Sequence, residues 1–215
     1  MKMALTFIMF FCLLLICLSQ IVNANEEDRK KWNKRYDTKE YVYGKEPTKL
    51  LKENINILTK GRAMVLAMGE GRNAVFLARN GFDVDGCDIS EIAIEKSKLL
   101  ARENKVKLNA LVVDLEKYKI PTRKYDLITC IYYTQRNLIP QIKDGLKMGG
   151  MVLFETYTID QLKYGTDAPG PKNPEYLLKH NELLNYFRDF HILYYREGEI
   201  APDKSVASLI AQKVE

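Results

Sequence analysis

The sequence has few residues of the kinds that bind metals or form disulfides, with 2 histidines and 4 cysteines among 215 residues. His180 and His191 lack the spacing of metal ligands, so we expect no metal site. Cys87 and Cys130 fall on predicted strands that flank a third strand, which places them roughly 9–10 Å apart. That exceeds the ~7 Å Cα separation that a disulfide tolerates. We therefore predict two buried free thiols.

Dense basic patches are also missing. The net charge of +5 is dispersed, since Lys and Arg alternate with Asp and Glu, and no basic run is interleaved with aromatic residues. The sequence therefore predicts no nucleic-acid partner. The hydrophobic fraction of 47% is ordinary for a globular protein. The roughly 190 residues after the N-terminal segment suit one domain.

A long apolar run occupies Met3–Leu18. Together with the small residues that end at Ala24, it predicts a secretory signal peptide over 1–24, and hence a secreted or periplasmic protein. The basic residues within 29–35 instead favour an uncleaved membrane anchor through 3–22, with the following domain in the cytoplasm. Both interpretations stay open.

Short apolar runs alternate with amphipathic helical patterns over residues 61–215. Five such β-α units precede two strands at 191–199 and 205–214, and a helix is expected over 175–187. We predict an α/β fold with a doubly wound, mostly parallel seven-stranded sheet and a C-terminal antiparallel hairpin. Residues 25–60 are polar, dotted with aromatic residues, and form a separate N-terminal segment.

A glycine turn follows the first predicted strand. The apolar run ends at Met68, Gly69 and Gly71 follow, and a helical pattern starts near Arg72. A strand, a glycine turn and a helix N-terminus together let a ligand approach the backbone and its free N–H groups. Because Ala74 completes the G-x-G-x-x-A spacing, a nicotinamide-dependent oxidoreductase also fits this pattern.

Two acids end neighbouring predicted strands. Asp88 ends the second strand, where a carboxylate can accept both hydroxyls of a ribose. Asp114 ends the third strand, where an acid beside the apolar Leu115 suits an adenine ring and its amino group. This second acid favours an adenosyl ligand, although on spacing alone Asp114 serves equally as a cap for the following segment.

On these residues, 61–115 resemble class I S-adenosylmethionine-dependent methyltransferases. The run 69–78 is similar to the bacterial branch that groups tellurite-resistance and thiopurine-type small-molecule methyltransferases. The resemblance implies a Rossmann-like methyltransferase fold, S-adenosyl-L-methionine as cofactor and a small-molecule methyl acceptor. The residues that it assigns to the cofactor are Gly69, Gly71, Arg72, Asn73, Asp88, Ile89, Asp114 and Leu115.

The N-terminal segment 25–60 matches the family's aromatic leader and is expected to fold over the cofactor as a lid. Aromatic faces attract a sulfonium cation, although packing against the helices is an equal alternative. No Asn/Asp-Pro-Pro-Tyr box follows the fourth strand, which argues against adenine or glutamine amides as acceptors. The candidates for lid or substrate contacts are Trp32, Tyr36, Tyr43 and Tyr132.

No catalytic residue is assigned, because a thiolate or a metalloid oxyanion needs no strong base. Val65 and Ala67 stand where the wider superfamily often has an acid and a first glycine. These two departures keep a third hypothesis open, a module that binds the cofactor without catalysis. The sequence carries no indication of an oligomeric state.

Overall fold

The computed structural model describes residues 26–214, so the apolar run 3–22 and its two alternative roles lie outside the described part. No helix in this part of the chain is long and apolar enough to cross a membrane. The strands are Arg62–Leu66 (β1), Asp83–Asp88 (β2), Asn109–Val112 (β3), Tyr125–Ile131 (β4), Leu146–Tyr157 (β5), His191–Ala201 (β6) and Lys204–Gln212 (β7).

These seven strands form one sheet in the order β3-β2-β1-β4-β5-β7-β6. The first five strands pair in parallel, whereas β7 runs antiparallel to both β5 and β6. The predicted fold class and its C-terminal hairpin are therefore confirmed. The strand order reverses between β1 and β4, and in open α/β sheets the crevice at such a reversal is where ligands bind.

Both faces of the sheet are covered, as the alternation of strand residues shows. In β1, Met64 and Leu66 point into one buried cluster, and Ala63 and Val65 point into another. The first cluster lies under the helices at 138–145 and 182–186, and the second lies under those at 49–54 and 72–79. The helices are residues 26–36 (α1), Lys49–Asn54 (α2), Arg72–Arg79 (α3), Glu91–Glu103 (α4), Leu138–Gly145 (α5) and Glu182–Tyr186 (α6).

The predicted helix over 175–187 is wrong. The structure has a 3₁₀ turn at Pro174–Tyr176, and only Glu182–Tyr186 is α-helical. Between them the chain is extended, because Leu178 forms a parallel bridge with Thr158 and is buried. A long-range pairing thus overrides the local helical pattern.

The two cysteines of the described chain, Cys87 and Cys130, are buried and free, as predicted. They lie on β2 and β4, the two neighbours of β1. Burial raises the pKa of both thiols, so neither is a reactive thiolate at neutral pH.

Candidate functional site

The glycine turn lies at the carboxyl end of β1, beside the point where the strand order reverses. Gly69 and Gly71 have φ angles of +55° and +88°, which glycine adopts without strain. A Cβ on Gly71 would lie 2.6 Å from the Ser97 Cβ, so a larger residue here would push α3 away from α4. The glycine pair therefore serves both the turn and the close packing of the two helices.

Asp88 joins the end of β2 to this turn. Its carboxylate accepts hydrogen bonds from the backbone N–H of Gly69 at 2.8 Å and of Ser90 at 3.0 Å. Burial raises the pKa of this carboxyl, and the bonds from Ser90 and Gly69 oppose that rise. The adjacent Ile89 is half-buried at the same edge.

The end of β3 is tied to the end of β2, because the backbone N–H of Val113 donates to the Asp88 carbonyl at 2.9 Å. Asp114 follows directly, and its side chain accepts from the Glu116 N–H at 2.9 Å, as in a turn cap. Leu115 beside it is buried. The two acids predicted for the site therefore share one sheet edge, and Asp114 also has the capping role that spacing alone allowed.

Arg72 and Asn73 bind the N-terminal segment. One Arg72 guanidinium nitrogen donates to the Tyr43 carbonyl at 2.7 Å. Asn73, which is buried, accepts from the Thr48 N–H through its Oδ1 at 2.9 Å. Both residues thus fix the segment across the glycine turn.

The predicted aromatic residues of this segment form one cluster over the turn. The Trp32 and Tyr36 rings stack with centroids 5.7 Å apart, and the Tyr43 ring meets Tyr36 edge-on at 6.3 Å. Tyr36 is buried, and its Oη lies 3.0 Å from where a Gly69 Cβ would be. The Arg35 and Arg72 guanidinium carbons lie 5.3 and 5.9 Å from the Tyr43 centroid, within cation–π range.

A buried ion pair that the sequence did not predict holds the same segment. Glu70 Oε1 and Lys96 Nζ lie 2.5 Å apart, and both side chains are largely buried. Glu70 also accepts from the Val42 N–H at 2.8 Å, and Lys96 donates to the Glu40 carbonyl at 2.7 Å.

Tyr132, the fourth aromatic candidate, lies apart from that cluster, just beyond the end of β4. Its Oη contacts Glu155 Oε1 at 2.5 Å and Lys204 Nζ at 2.7 Å. Its ring lies 5.4 Å from the Tyr157 ring. No pattern in the sequence singled out Lys204.

Comparison with known proteins gives one family. The model of the family "Tellurite resistance protein TehB" matches residues 29–204. One curated relative is named probable S-adenosyl-L-methionine-dependent methyltransferase TehB and comes from Haemophilus influenzae (strain ATCC 51907 / DSM 11121 / KW20 / Rd). It is 26% identical to this chain over 150 residues, which are 66% of this chain and 50% of that protein. A relative from Eikenella corrodens, named hemagglutinin 1, is 25% identical over 155 residues, 69% of this chain and 50% of that protein.

The crystal structure of TehB from Haemophilus influenzae matches the fold with a TM-score of 0.62 at 22% identity, covering 76% of this chain and 61% of that one. At this identity the match shows the fold alone. The chain spans about half the length of the curated relatives that it matches.

Proposed function

The chain belongs to the tellurite resistance protein TehB family, and we propose that it is an S-adenosyl-L-methionine-dependent methyltransferase acting on a small-molecule nucleophile such as a thiol or a metalloid oxyanion. The observation that carries the proposal is the hydrogen bond from the Gly69 N–H to the Asp88 carboxylate. This bond lies beside the point where the strand order of the sheet reverses, which is where open α/β sheets bind ligands. The name of the Haemophilus influenzae relative supports it.

The residues at this edge fit an adenosyl cofactor. An ionised carboxylate offers about four lone-pair positions, and Asp88 gives two of them to the N–H groups of Gly69 and Ser90. The Ile89 N–H also acts on this carboxylate, so at least one position is left for a ribose hydroxyl. The tie between the ends of β2 and β3 brings the buried Leu115 to the same edge, where it offers apolar surface to an adenine ring.

When bound, S-adenosyl-L-methionine supplies a methyl group on a positively charged sulfur. The chain's own contribution is to orient the two reactants and to exclude water. The cluster of Trp32, Tyr36 and Tyr43 suits this role, because aromatic faces attract a cation and cover the turn. The contacts that Arg72 and Asn73 make to the segment hold that cover in place.

The two alternatives from the sequence gain no support. Tyr41 and Lys45, which match the spacing of a dehydrogenase Tyr–Lys pair, both bind α4: Tyr41 Oη donates to the Lys96 carbonyl, and Lys45 pairs with Glu103. For a non-catalytic module the argument was that Val65 and Ala67 replace an acid and a first glycine. Ala67 has a φ of +48°, in the left-handed region that favours glycine, and Val65 is a buried residue of β1.

Isothermal titration of the full chain with S-adenosylhomocysteine tests the proposal. We expect saturable heat with this ligand and none with NADH. A methyl-transfer assay with thiols, phenols, amines and oxyanions then separates an enzyme from a binding module. The absence of binding at high protein concentration would rule the proposed function out.

A further inference from the structure

A second network of polar groups lies at the same sheet edge, just beyond the end of β4. It is centred on Tyr132 Oη, which contacts Glu155 Oε1 on one side and Lys204 Nζ on the other. Lys204 Nζ also lies 4.2 Å from the Tyr132 ring centroid. A single phenol therefore bridges a carboxylate and an ammonium group.

The direction of each hydrogen bond follows from the chemistry of the groups. An ammonium has only donors, so Lys204 donates to the phenol oxygen, and the phenol proton points to Glu155. The other carboxylate oxygen, Glu155 Oε2, accepts from Ser208 Oγ at 2.8 Å. Glu155 is buried, so its two oxygens are held by hydroxyl donors in a site with little water.

The charges around the phenol keep it protonated. Burial, followed by the charge of Glu155 and its hydrogen bond, raises the pKa of Tyr132, and Arg72 opposes that rise. Burial and Arg72 lower the pKa of Lys204, against the effect of Glu155. Tyr132 thus holds its proton at neutral pH and shares it with the carboxylate.

The network adjoins the cofactor edge. Arg72, the first residue of α3 after the glycine turn, acts electrostatically on Tyr132, Tyr157 and Lys204, and Tyr43 from the N-terminal segment acts on Tyr157. On the far side, a Cβ on Gly170 would lie 2.8 Å from Tyr157 ring atoms, so that loop packs on the ring. The start of α3, the N-terminal segment, the loop at Gly170 and β7 therefore surround the ends of β4 and β5.

The backbone of Tyr132 is itself unusual. Its φ of +58° lies in the left-handed region, which a residue other than glycine adopts only when its surroundings hold it there. The Tyr132 N–H donates to the Glu155 carbonyl at 2.7 Å, so the same two residues are joined by backbone and side chain.

We propose that Tyr132 and Glu155 form a relay that removes the proton of the methyl acceptor, with Lys204 positioning the phenol, so that the acceptor is an alcohol, phenol or thiol that enters protonated. This inference rests on the proposed function. It extends that function by giving the acceptor a proton that the chain's own residues remove.

The X–H bond of the acceptor breaks, and its proton passes to the free lone pair of Tyr132 Oη while the proton of Tyr132 passes to Glu155 Oε1. X forms its new bond to the methyl carbon, and the electron pair of the broken C–S bond stays on sulfur. Glu155 ends as a neutral carboxyl group and returns its proton to solvent. Lys204 keeps its charge and stabilises the negative charge that develops on the phenol oxygen.

Two variants of the full chain, Tyr132→Phe and Glu155→Gln, test the relay. Their matched controls are Tyr164→Phe and Glu199→Gln, because Tyr164 Oη donates to Glu199 Oε2 at 2.6 Å in an exposed pair of the same chemistry. Transfer is compared between a protonated acceptor, such as a phenol or thiol, and iodide, a nucleophile without a proton. We expect both relay variants to lose about 10²–10⁴-fold in kcat toward the protonated acceptor and nothing toward iodide.

Two further measurements separate the relay from a structural role. With the protonated acceptor, wild-type kcat should fall in D2O, because protons move along the relay during transfer, whereas with iodide it should stay unchanged. In addition, 4-nitrophenol should bind the complex of Tyr132→Phe with S-adenosylhomocysteine about 5-fold more weakly than the wild-type complex, because its hydrogen bond to Tyr132 Oη is lost, and the Tyr164→Phe complex as tightly as wild type.

The inference is overturned if wild type transfers methyl to no protonated acceptor, if Tyr132→Phe binds 4-nitrophenol as tightly as wild type does, or if the variants lose both kinds of transfer equally. Titration with S-adenosylhomocysteine distinguishes a failure of the relay from a failure of the proposed function. Undiminished binding in the variants shows that they fold and that the cofactor edge is intact. If wild type itself fails to bind, the proposed function fails first.

Discussion

The carboxylate of Glu70 and the ammonium of Lys96 lie 2.5 Å apart in the interior, and each also binds the backbone of the N-terminal segment. Glu70 belongs to the glycine turn and Lys96 to the middle of α4. One ion pair therefore couples the covering segment to the turn beneath it.

Replacing Lys96 with Met should loosen this segment, because it leaves the Glu70 carboxylate buried without its cation. Breaking a buried pair costs about 3–5 kcal/mol, and the Val42 N–H that binds Glu70 should exchange with solvent faster. Hydrogen exchange followed by NMR or mass spectrometry measures this directly. The control is Lys98→Met, which removes an exposed pair with Glu95 on the same helix. Equal exchange at Val42 in the two variants would contradict the prediction.

The Asp88→Asn substitution should weaken the binding of S-adenosylhomocysteine by about 10–100-fold, because a hydrogen bond to a charged group contributes about 1.5–3 kcal/mol. The control is Asp85→Asn, since Asp85 is a buried carboxylate on the same strand that binds Arg62 and Asn109. That variant should lose stability and keep its affinity for the ligand. Calorimetric titration measures the affinity of both variants for S-adenosylhomocysteine. An equal loss of affinity in Asp88→Asn and Asp85→Asn would count against a contact between Asp88 and the ribose.

Gly71→Ala should destabilise the fold by more than Gly81→Ala. Both glycines have nearly the same φ, +88° and +87°, so both substitutions carry the same backbone strain of about 1–2 kcal/mol. Only at Gly71 would the new Cβ meet another atom within 4 Å, Ser97 Cβ at 2.6 Å. The difference between the two free energies of unfolding, measured in urea, should be about 1–3 kcal/mol. Equal losses would show that α3 moves away from α4 freely.

Local signals in the sequence predicted the region around β1, α3 and α4 well. The glycine turn and the Ser90 cap, whose Oγ accepts from the Ala93 N–H at 3.1 Å, act within a few residues. Contacts between residues far apart in the sequence were not predicted, because no local pattern indicates them. Lys204 meets Tyr132 across 72 positions of sequence, and the bridge between Leu178 and Thr158 interrupts a segment that has a helical pattern. The sequence thus predicted the glycine turn and the two acids beside it, whereas the network around Tyr132 became visible only in three dimensions.

The stability contributed by Asp85 should depend on pH in a defined direction. Burial alone raises the pKa of this carboxyl, but hydrogen bonds from neighbouring side chains outweigh burial and hold the pKa well below its ordinary value of 3.8. The donors are Arg62, Asn109, Lys124 and Tyr125. Because the pKa is depressed in the folded state, the carboxylate stabilises the fold fully above its unfolded pKa, and this contribution disappears as the pH falls toward the folded pKa.

Asp85→Asn should therefore lower the free energy of unfolding by about 2 kcal/mol at neutral pH, the value of a charge-assisted hydrogen bond. The gap between wild type and variant should stay constant through the neutral range and narrow below about pH 4. Urea unfolding over a series of pH values measures it. Asp83→Asn is the control, since Asp83 is exposed and lies 3.6 Å from the same arginine, Arg62. A gap that stays constant into the acidic range would show that Asp85 stabilises the strand by its shape and not by its charge.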